Sequence, residues 1–219
     1  LSDRAAKGLR AIGVGEGVKV GLLLPNSPTF VIFYYGVLKA GGTIVNFNPL
    51  YSLDEIEFQI RDSGTKIMVT LDLALTFEKV EAMLERGALD KAVVASFPSL
   101  LPPLKSVGFK LLQRTKLANT SASAATERIV PERALLANDG RYDRPAITPD
   151  AIAVLQYTGG TTGTPKGAML THANISTNVS QVKLWRNLDV REGDSILGIL
   201  PLFHVFAMTT VMNFGIASG

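Results

Sequence analysis

The sequence predicts an α/β protein, a doubly wound and mostly parallel sheet flanked by helices. Apolar runs of strand length alternate along the chain with segments of helical period. This alternation is typical of strands joined by helices rather than of a sandwich or a helix bundle. The chain has 219 residues and is 47% hydrophobic, which is enough for a sizeable buried core.

The first predicted unit is a buried strand at residues 19–24 followed by a helix. In the turn between them, Asn26 or Ser27 can cap the helix, and a proline suits its first turn. Apolar residues then recur at steps of three and four until a glycine pair ends the helix. The next strand is predicted at residues 43–47.

Ser52 and Glu55 have the spacing of a capping box, which predicts the start of a second helix. A later helix is predicted from about residue 173 to residue 187. Short apolar runs predict further strands at residues 66–70, 91–95, 152–157, 167–171 and 195–200.

An irregular segment at residues 97–150 interrupts this alternation. Prolines, Ser/Ala runs and scattered charges replace the periodicity there. We therefore expect a first α/β sub-region at residues 1–96, a connection at 97–150, and a second sub-region at 151–219.

Within the connection, the stretch from Lys105 to Lys116 is basic and amphipathic. Its four basic residues alternate with apolar ones, and it has no acidic residue. Such a stretch suits the surface of an anionic membrane. A solvated surface helix or a disordered insertion is the alternative.

Composition excludes several classes of function. The net charge is only +3, so a nucleic-acid surface is not indicated. There is no cysteine, and His172 and His204 are the only histidines, so a metal bound by protein nitrogen or sulfur is not expected. No signal-peptide pattern is visible, and no apolar run reaches the roughly 20 residues that span a bilayer. These observations predict a cytoplasmic protein.

The stretch from Tyr157 to Gly167 has the composition of a phosphate-binding loop. It holds four glycines, four threonines and one lysine in eleven residues. Glycine allows backbone N–H groups to approach an anion, threonine adds hydroxyl donors, and lysine adds positive charge. A solvated turn between two strands is the alternative interpretation.

The spacing differs from the common nucleoside-triphosphatase loop, in which the lysine runs directly into a helix. Here Pro165 precedes Lys166, and the residues after Gly167 have the pattern of a strand. An ordinary nucleotide-hydrolysing enzyme is therefore disfavoured.

With this loop the chain resembles the adenylate-forming enzymes, which include acyl-CoA synthetases, luciferases and peptide-synthetase adenylation domains. Their loop typically reads Tyr-Thr-Ser-Gly-Thr-Thr-Gly-x-Pro-Lys-Gly, and Gly159 stands where many members have serine. The Thr-Gly-Gly variant is similar to bacterial long-chain fatty acid:CoA ligases. Further similar stretches are 20–28, 38–42, 48–51, 169–174 and 200–204.

The resemblance implies ATP-dependent formation of an acyl-adenylate and pyrophosphate, after which the thiol of coenzyme A displaces AMP. It implies Mg²⁺ as well. Lys166 and Thr161 are the expected catalytic residues of the loop. The expected ATP-binding residues are Thr158, Gly159, Gly160, Thr161, Thr162, Gly163, Thr164 and Lys166.

The resemblance also gives His204 a role. A lone histidine beside apolar residues is usually structural, but the family position Pro-Leu-[Phe/Tyr]-His lies next to the acyl-adenylate. His204 would orient the carboxylate, and Phe203 and Phe206 would line the acyl tunnel, although ordinary core positions fit them equally. His172 and Trp185 are expected to be structural, with Trp185 on the apolar face of its helix.

Compared with the family, the sequence lacks the Thr-Glu loop, the ribose-binding aspartate and the C-terminal lid with its lysine. We therefore expect an incomplete large domain that is inactive alone. An aryl- or amino-acid-activating enzyme remains an alternative, as does a non-catalytic module that responds to nucleotides or docks to membranes. The sequence leaves the oligomeric state open.

Overall fold

The computed structural model describes residues 1–158, 165–185 and 193–219. Seven strands in this part of the chain form one sheet in the order β5-β4-β3-β1-β2-β6-β7. All neighbouring pairs are parallel except β6 and β7, which are antiparallel. The strands are β1 Lys19–Leu23, β2 Thr43–Asn46, β3 Thr65–Leu71, β4 Lys91–Ala95, β5 Ile129–Pro131, β6 Ile152–Thr158 and β7 Lys166–Thr171.

Helices connect most of the parallel strands. The helices are α1 Ser2–Ala11, α2 Pro28–Ala40, α3 Leu53–Ser63, α4 Ala74–Glu85, α5 Pro103–Leu112, α6 Glu132–Leu135, α7 His172–Trp185, α8 Val205–Ala207 and α9 Phe214–Ser218, with a π-helical turn at Met208–Asn213 joining the last two. The predicted doubly wound α/β class is confirmed.

Two apolar layers cover the two faces of the sheet, because successive strand side chains point in opposite directions. In β1, Leu22 belongs to the layer that contains α1 and α2, whereas Leu23 belongs to the layer that contains α3 and α4. Both leucines are fully buried. The core therefore has helices on both sides of a central sheet.

Side-chain hydrogen bonds cap the starts of α2 and α3. Ser27, rather than Asn26, caps α2, and its hydroxyl accepts a hydrogen bond from the Phe30 N–H at 3.3 Å. Ser52 and Glu55 form the predicted capping box at the start of α3. Asn26 is thereby free for a different contact, described below.

The segment at residues 97–150 has more structure than the sequence indicates. It contains α5, the short strand β5 and α6. β5 extends the sheet by pairing with β4, and β6 pairs with β2 in the same sheet. The division into two sub-regions around a connection stays a prediction.

The predicted strand at 195–200 is wrong. Residues 194–200 have no regular secondary structure before a bend at the last of them, and all are exposed. A strand forms only beside a partner whose backbone groups complete the ladder. Here the side chain of Asn26 takes two of the carbonyl groups instead, at Gly198 and Leu200.

The expectation for Trp185 is also wrong. Its side chain is 91% exposed at the end of α7, next to the exposed Leu184. Within the described residues of α7 only Val179 is buried, so the apolar positions near the end of this helix have no layer against which to pack. The predicted helix end at 187 lies outside the described residues.

Candidate functional site

The carboxyl ends of β1, β2 and β6 meet at one edge of the sheet. β2 pairs in parallel with both β1 and β6, so Asn26, Asn46 and Thr158 follow or end neighbouring strands on the same side. Ligands of open α/β sheets bind at this edge, outside the carboxyl ends of the strands. This edge is therefore the candidate site of the chain.

The two ends of the glycine- and threonine-rich loop lie side by side. Thr158 at the end of β6 pairs with Lys166 at the start of β7, and both residues are exposed. This pairing places a hydroxyl and an ammonium group at the mouth of the loop. The predicted loop residues Gly159, Gly160, Thr161, Thr162, Gly163 and Thr164 lie outside the described residues.

Tyr157 fixes the strand that enters the loop. Its phenol group donates a hydrogen bond to the carboxylate of Asp62 in α3. Burial raises the pKa of Tyr157, and the neighbouring Asp62 raises this pKa further. Across the ladder, a Cβ on Gly167 would lie 3.1 Å from the Tyr157 ring, so glycine allows β7 to approach this ring closely.

Asn26 clamps the segment that leads to His204. Its side-chain amide donates to the carbonyl oxygens of Gly198 and Leu200 at 3.2 and 2.9 Å. Its carbonyl oxygen accepts from the Leu202 N–H at 2.7 Å. One side chain in the turn after β1 thus satisfies three backbone groups about 170 residues away in sequence.

A second set of amides ties the same segment to the strand before the loop. Gln156 of β6 donates to the Phe203 carbonyl at 3.1 Å and accepts from Asn46 at 3.1 Å. Gln59 in turn donates to the Asn46 backbone carbonyl at 2.8 Å. The three amide side chains are buried, where geometry is strongly constrained because an unpaired polar group is costly.

His204 begins the final helical segment. Its backbone N–H donates to the Pro201 carbonyl at 3.0 Å, and its carbonyl accepts from the Met208 N–H at 2.9 Å. The imidazole is exposed and lies at a tilt against the Phe203 ring, with 4.6 Å between ring centroids. His204 is therefore an accessible side chain on a firmly held backbone.

The two candidate tunnel residues lie in different environments. Phe203 packs against the large core cluster, whereas Phe206 is 63% exposed. Phe206 lines an open apolar groove of about 990 Å³ together with Leu184, Trp185 and Leu200. An acyl chain would fit such a groove by its size and polarity.

His172 occupies a structural position at the start of α7. It lies beside Tyr34, Tyr35 and Asn213 in a small cavity, and burial lowers its pKa. Asn213 accepts from the Tyr35 hydroxyl at 2.7 Å and donates to the Tyr34 hydroxyl at 3.1 Å. Nothing in these contacts implies catalysis.

The described ranges contain no group of three or more His, Asp or Glu side chains that could hold a metal ion. The sheet edge offers exposed hydroxyl and ammonium groups instead, from Thr158 and Lys166. These groups suit an anion rather than a cation.

Sequence reasoning placed Thr158 and Lys166 in one loop, whose two ends pair in the structure, but it missed the contacts of Asn26, Asn46 and Gln156. A polar residue directly after, or within, a buried strand is the available signal, because a buried amide needs partners. That signal does not name the partners, which lie far away in the chain.

Comparison with known proteins identifies the class. The AMP-binding enzyme family matches residues 1–219, and the chain belongs to this family.

Among its relatives, the long-chain-fatty-acid–CoA ligase of Bacillus subtilis is 41% identical over 213 residues, covering 96% of this chain and 38% of the relative. The 4-coumarate–CoA ligase 3 of Oryza sativa subsp. japonica is 33% identical, covering 100% of this chain and 34% of the relative. The chain therefore spans little more than a third of the length of these relatives.

Solved structures agree with this assignment. A long-chain-fatty-acid-CoA ligase (FadD1) from Archaeoglobus fulgidus is 26% identical with a TM-score of 0.70, covering 95% of this chain and 35% of its own. The inhibitor-bound N-terminal domain of FACL13 from Mycobacterium tuberculosis is 29% identical with a TM-score of 0.67, covering 98% and 45%. ATP-bound MatB from Rhodopseudomonas palustris shares the fold. It is 22% identical with a TM-score of 0.74, covering 99% of this chain and 37% of its own.

Proposed function

We propose that this chain is part of an AMP-forming acid:thiol ligase that activates long-chain fatty acids with ATP and transfers them to coenzyme A. Membership of the AMP-binding enzyme family supports the adenylation step. The fatty acid assignment is supported by the Bacillus subtilis relative and by the Thr-Gly-Gly form of the loop.

The observation that carries the proposal is the pairing of Thr158 with Lys166 across β6 and β7. ATP and a carboxylate are both anions, so the first step needs positive charge and N–H or O–H donors where the phosphates lie. Lys166 supplies the charge, and Thr158 with the residues from Gly159 to Thr164 supplies donors. Catalysis is then mainly positioning and charge neutralisation.

His204 would orient the substrate carboxylate rather than act as a base. Its side chain is exposed, and its backbone is held by contacts from Asn26 and Gln156 to the preceding residues. Fixed backbone with an accessible imidazole suits a group that positions its ligand. Phe206, in the apolar groove, is a better candidate for contact with an acyl chain than Phe203, which packs on the core.

Magnesium enters this proposal with the ATP. Mg²⁺ is commonly bound through substrate phosphates and only one or two carboxylates. The phosphates of ATP would therefore supply much of its coordination.

Substitution of Lys166 tests the role of the loop. In the ligase that contains this chain, Lys166→Ala should slow acid-dependent pyrophosphate exchange about a hundredfold, since one lost charge-stabilising donor has an effect of that size. Lys166→Arg, which keeps the charge, should recover part of the rate. Lys66→Ala on β3 is the matched control, and equal rates for Lys66→Ala and Lys166→Ala would contradict the proposal.

The substrate class needs a separate measurement, because the Oryza sativa relative is named for an aryl acid. We expect a long-chain fatty acid to compete more effectively in pyrophosphate exchange than an aryl acid or an amino acid. A preference for an aryl or amino acid would contradict the fatty acid substrate but would leave the proposed adenylation reaction in place.

We also propose a cytoplasmic location with peripheral membrane contact through the stretch from Lys105 to Lys116. Within the described residues, no helix has the length and apolar character that crossing a bilayer requires. The stretch forms the exposed helix α5 and the turn after it, which favours a surface role. The same contact would also suit a non-catalytic module that docks to membranes. Pyrophosphate exchange by the ligase that contains this chain would exclude that alternative.

A further inference from the structure

Helix α5 carries an apolar stripe that faces solvent. Leu104, Val107 and Leu111 recur at steps of three and four and are 87%, 56% and 75% exposed. At 100° per residue these three side chains fall within one narrow sector of the helix. None of the ten residues of α5 is buried. An exposed apolar stripe of this kind indicates an interaction surface.

The opposite face of α5 holds the helix to the protein. Phe109 packs on Phe97 with 4.9 Å between ring centroids, and the two rings border a small apolar cavity that Leu101 also lines. Because Phe109 lies about half a turn from the stripe, this packing directs Leu104, Val107 and Leu111 outward.

Positive charge surrounds the stripe. Lys105, Lys110, Arg114 and Lys116 are exposed, and the sequence has no acidic residue between Asp90 and Glu127. None of the ion pairs among the described residues involves these four side chains. Asp72 is the acidic group near Lys110, and it accepts a hydrogen bond from the Phe97 N–H at 2.6 Å.

We propose that α5 is the membrane-docking element, with Leu104, Val107 and Leu111 inserted at the acyl boundary of an anionic bilayer and the four basic residues against the lipid phosphates. An interfacial helix needs this combination of an apolar face and flanking basic residues. A second copy of the chain is a poor occupant, because it would bring an equally basic surface into contact. The inference rests on the proposed function, since a fatty acid substrate partitions into membranes.

Vesicle co-sedimentation of the 219-residue chain tests the proposal. The probes are vesicles of phosphatidylcholine with and without phosphatidylglycerol. We expect binding to the anionic vesicles that weakens with salt. Lys110→Glu with Arg114→Glu should lower the partition coefficient at least tenfold, because each lost basic residue weakens the attraction about fivefold. Leu104→Ser with Leu111→Ser should lower it about fivefold or more by removing apolar contact.

Matched control pairs lie on other surfaces. Leu50→Ser with Leu75→Ser removes two exposed leucines, and Arg133→Glu with Arg141→Glu makes the same change in charge. These pairs should retain parental binding, and circular dichroism should show that every variant is folded.

Two outcomes would overturn the proposal. One is a parent chain that does not bind anionic vesicles. The other is an equal loss of binding in the α5 double variants and the control double variants. Light scattering without vesicles tests whether the chain self-associates. Self-association that Leu104→Ser with Leu111→Ser abolishes would show that the stripe binds a second copy of the chain instead. Pyrophosphate exchange by the ligase that contains this chain, on a short, soluble fatty acid, separates this result from the proposed function, because exchange needs no vesicle.

Discussion

At the scale of single residues, Asn26 joins two distant parts of the chain. Its donors and its acceptor are all used by the backbone of residues 198–202. Asparagine can do this because its amide presents both kinds of group. The position of Phe203 and His204 therefore depends on a side chain in the turn after β1.

We expect Asn26→Ala to lower the free energy of unfolding by about 1–3 kcal/mol, because three backbone groups lose their partner. Asn26→Asp keeps the oxygen that accepts from the Leu202 N–H but loses the N–H groups that donate to the two carbonyls. If both kinds of hydrogen bond contribute, its free energy of unfolding should lie between those of the parent and the alanine variant. Urea titration followed by circular dichroism measures both. An alanine variant as stable as the parent would show that the clamp contributes nothing.

At the scale of elements, α1 and α2 pack closely through glycine. A Cβ on Gly36 of α2 would lie 2.7 Å from the Cβ of Ala5 in α1, which is too close for either helix to stay in place. Glycine is a poor helix former, so its presence here indicates that close packing outweighs helix propensity.

Paired glycine substitutions compare these two effects. Gly36→Ala gains about 1 kcal/mol of helix propensity but overpacks the interface at a cost of about 1–3 kcal/mol, so we expect a lower melting temperature. Gly108→Ala in α5 is the control, since its added Cβ would have no atom within 4 Å apart from its chain neighbours and the backbone of its own helix. It should stabilise the chain by about 0.5–1 kcal/mol. Thermal unfolding that ranks the two variants in the other order would refute the packing argument.

Prediction from sequence succeeded for buried strands whose own residues form a recognisable apolar run. Buried strands appear as short apolar runs, so β1, β3 and β4 were placed within a residue or two of their observed bounds. The short strand β5 ends at a proline and has no such run, and it forms only because β4 pairs with it. Residues 195–200 have an apolar run but no partner strand.

The site was predictable to a similar degree. Thr158 and Lys166 were singled out from loop composition and a strand was predicted after the loop, but their pairing across β6 and β7 comes from the structure. The contacts of Asn26 and Gln156 join residues more than 40 positions apart. Composition and periodicity carry no signal for such contacts, which arise from tertiary packing.

At the scale of the whole molecule, the chain spans 38% of the Bacillus subtilis relative. We expect the 219-residue chain to bind ATP weakly and to form no acyl-CoA, because its described residues supply only the sheet edge that we propose for phosphate binding and the His204 segment. Thin-layer assay of labelled fatty acid, ATP and coenzyme A measures this. Robust acyl-CoA formation would show that these residues are a sufficient catalyst.

The pairing of β2 with β6 has a consequence for the order of folding. Ile44 is paired with Val154, so 110 residues separate two neighbours in the sheet. Loop closure of this length is entropically costly and slow compared with the local β1–α2–β2 unit. We therefore expect the strands β6 and β7 to dock late in folding, on an edge built by β1 to β4. ATP binding would then report late steps of folding, because Thr158 and Lys166 reach their places only with this last docking.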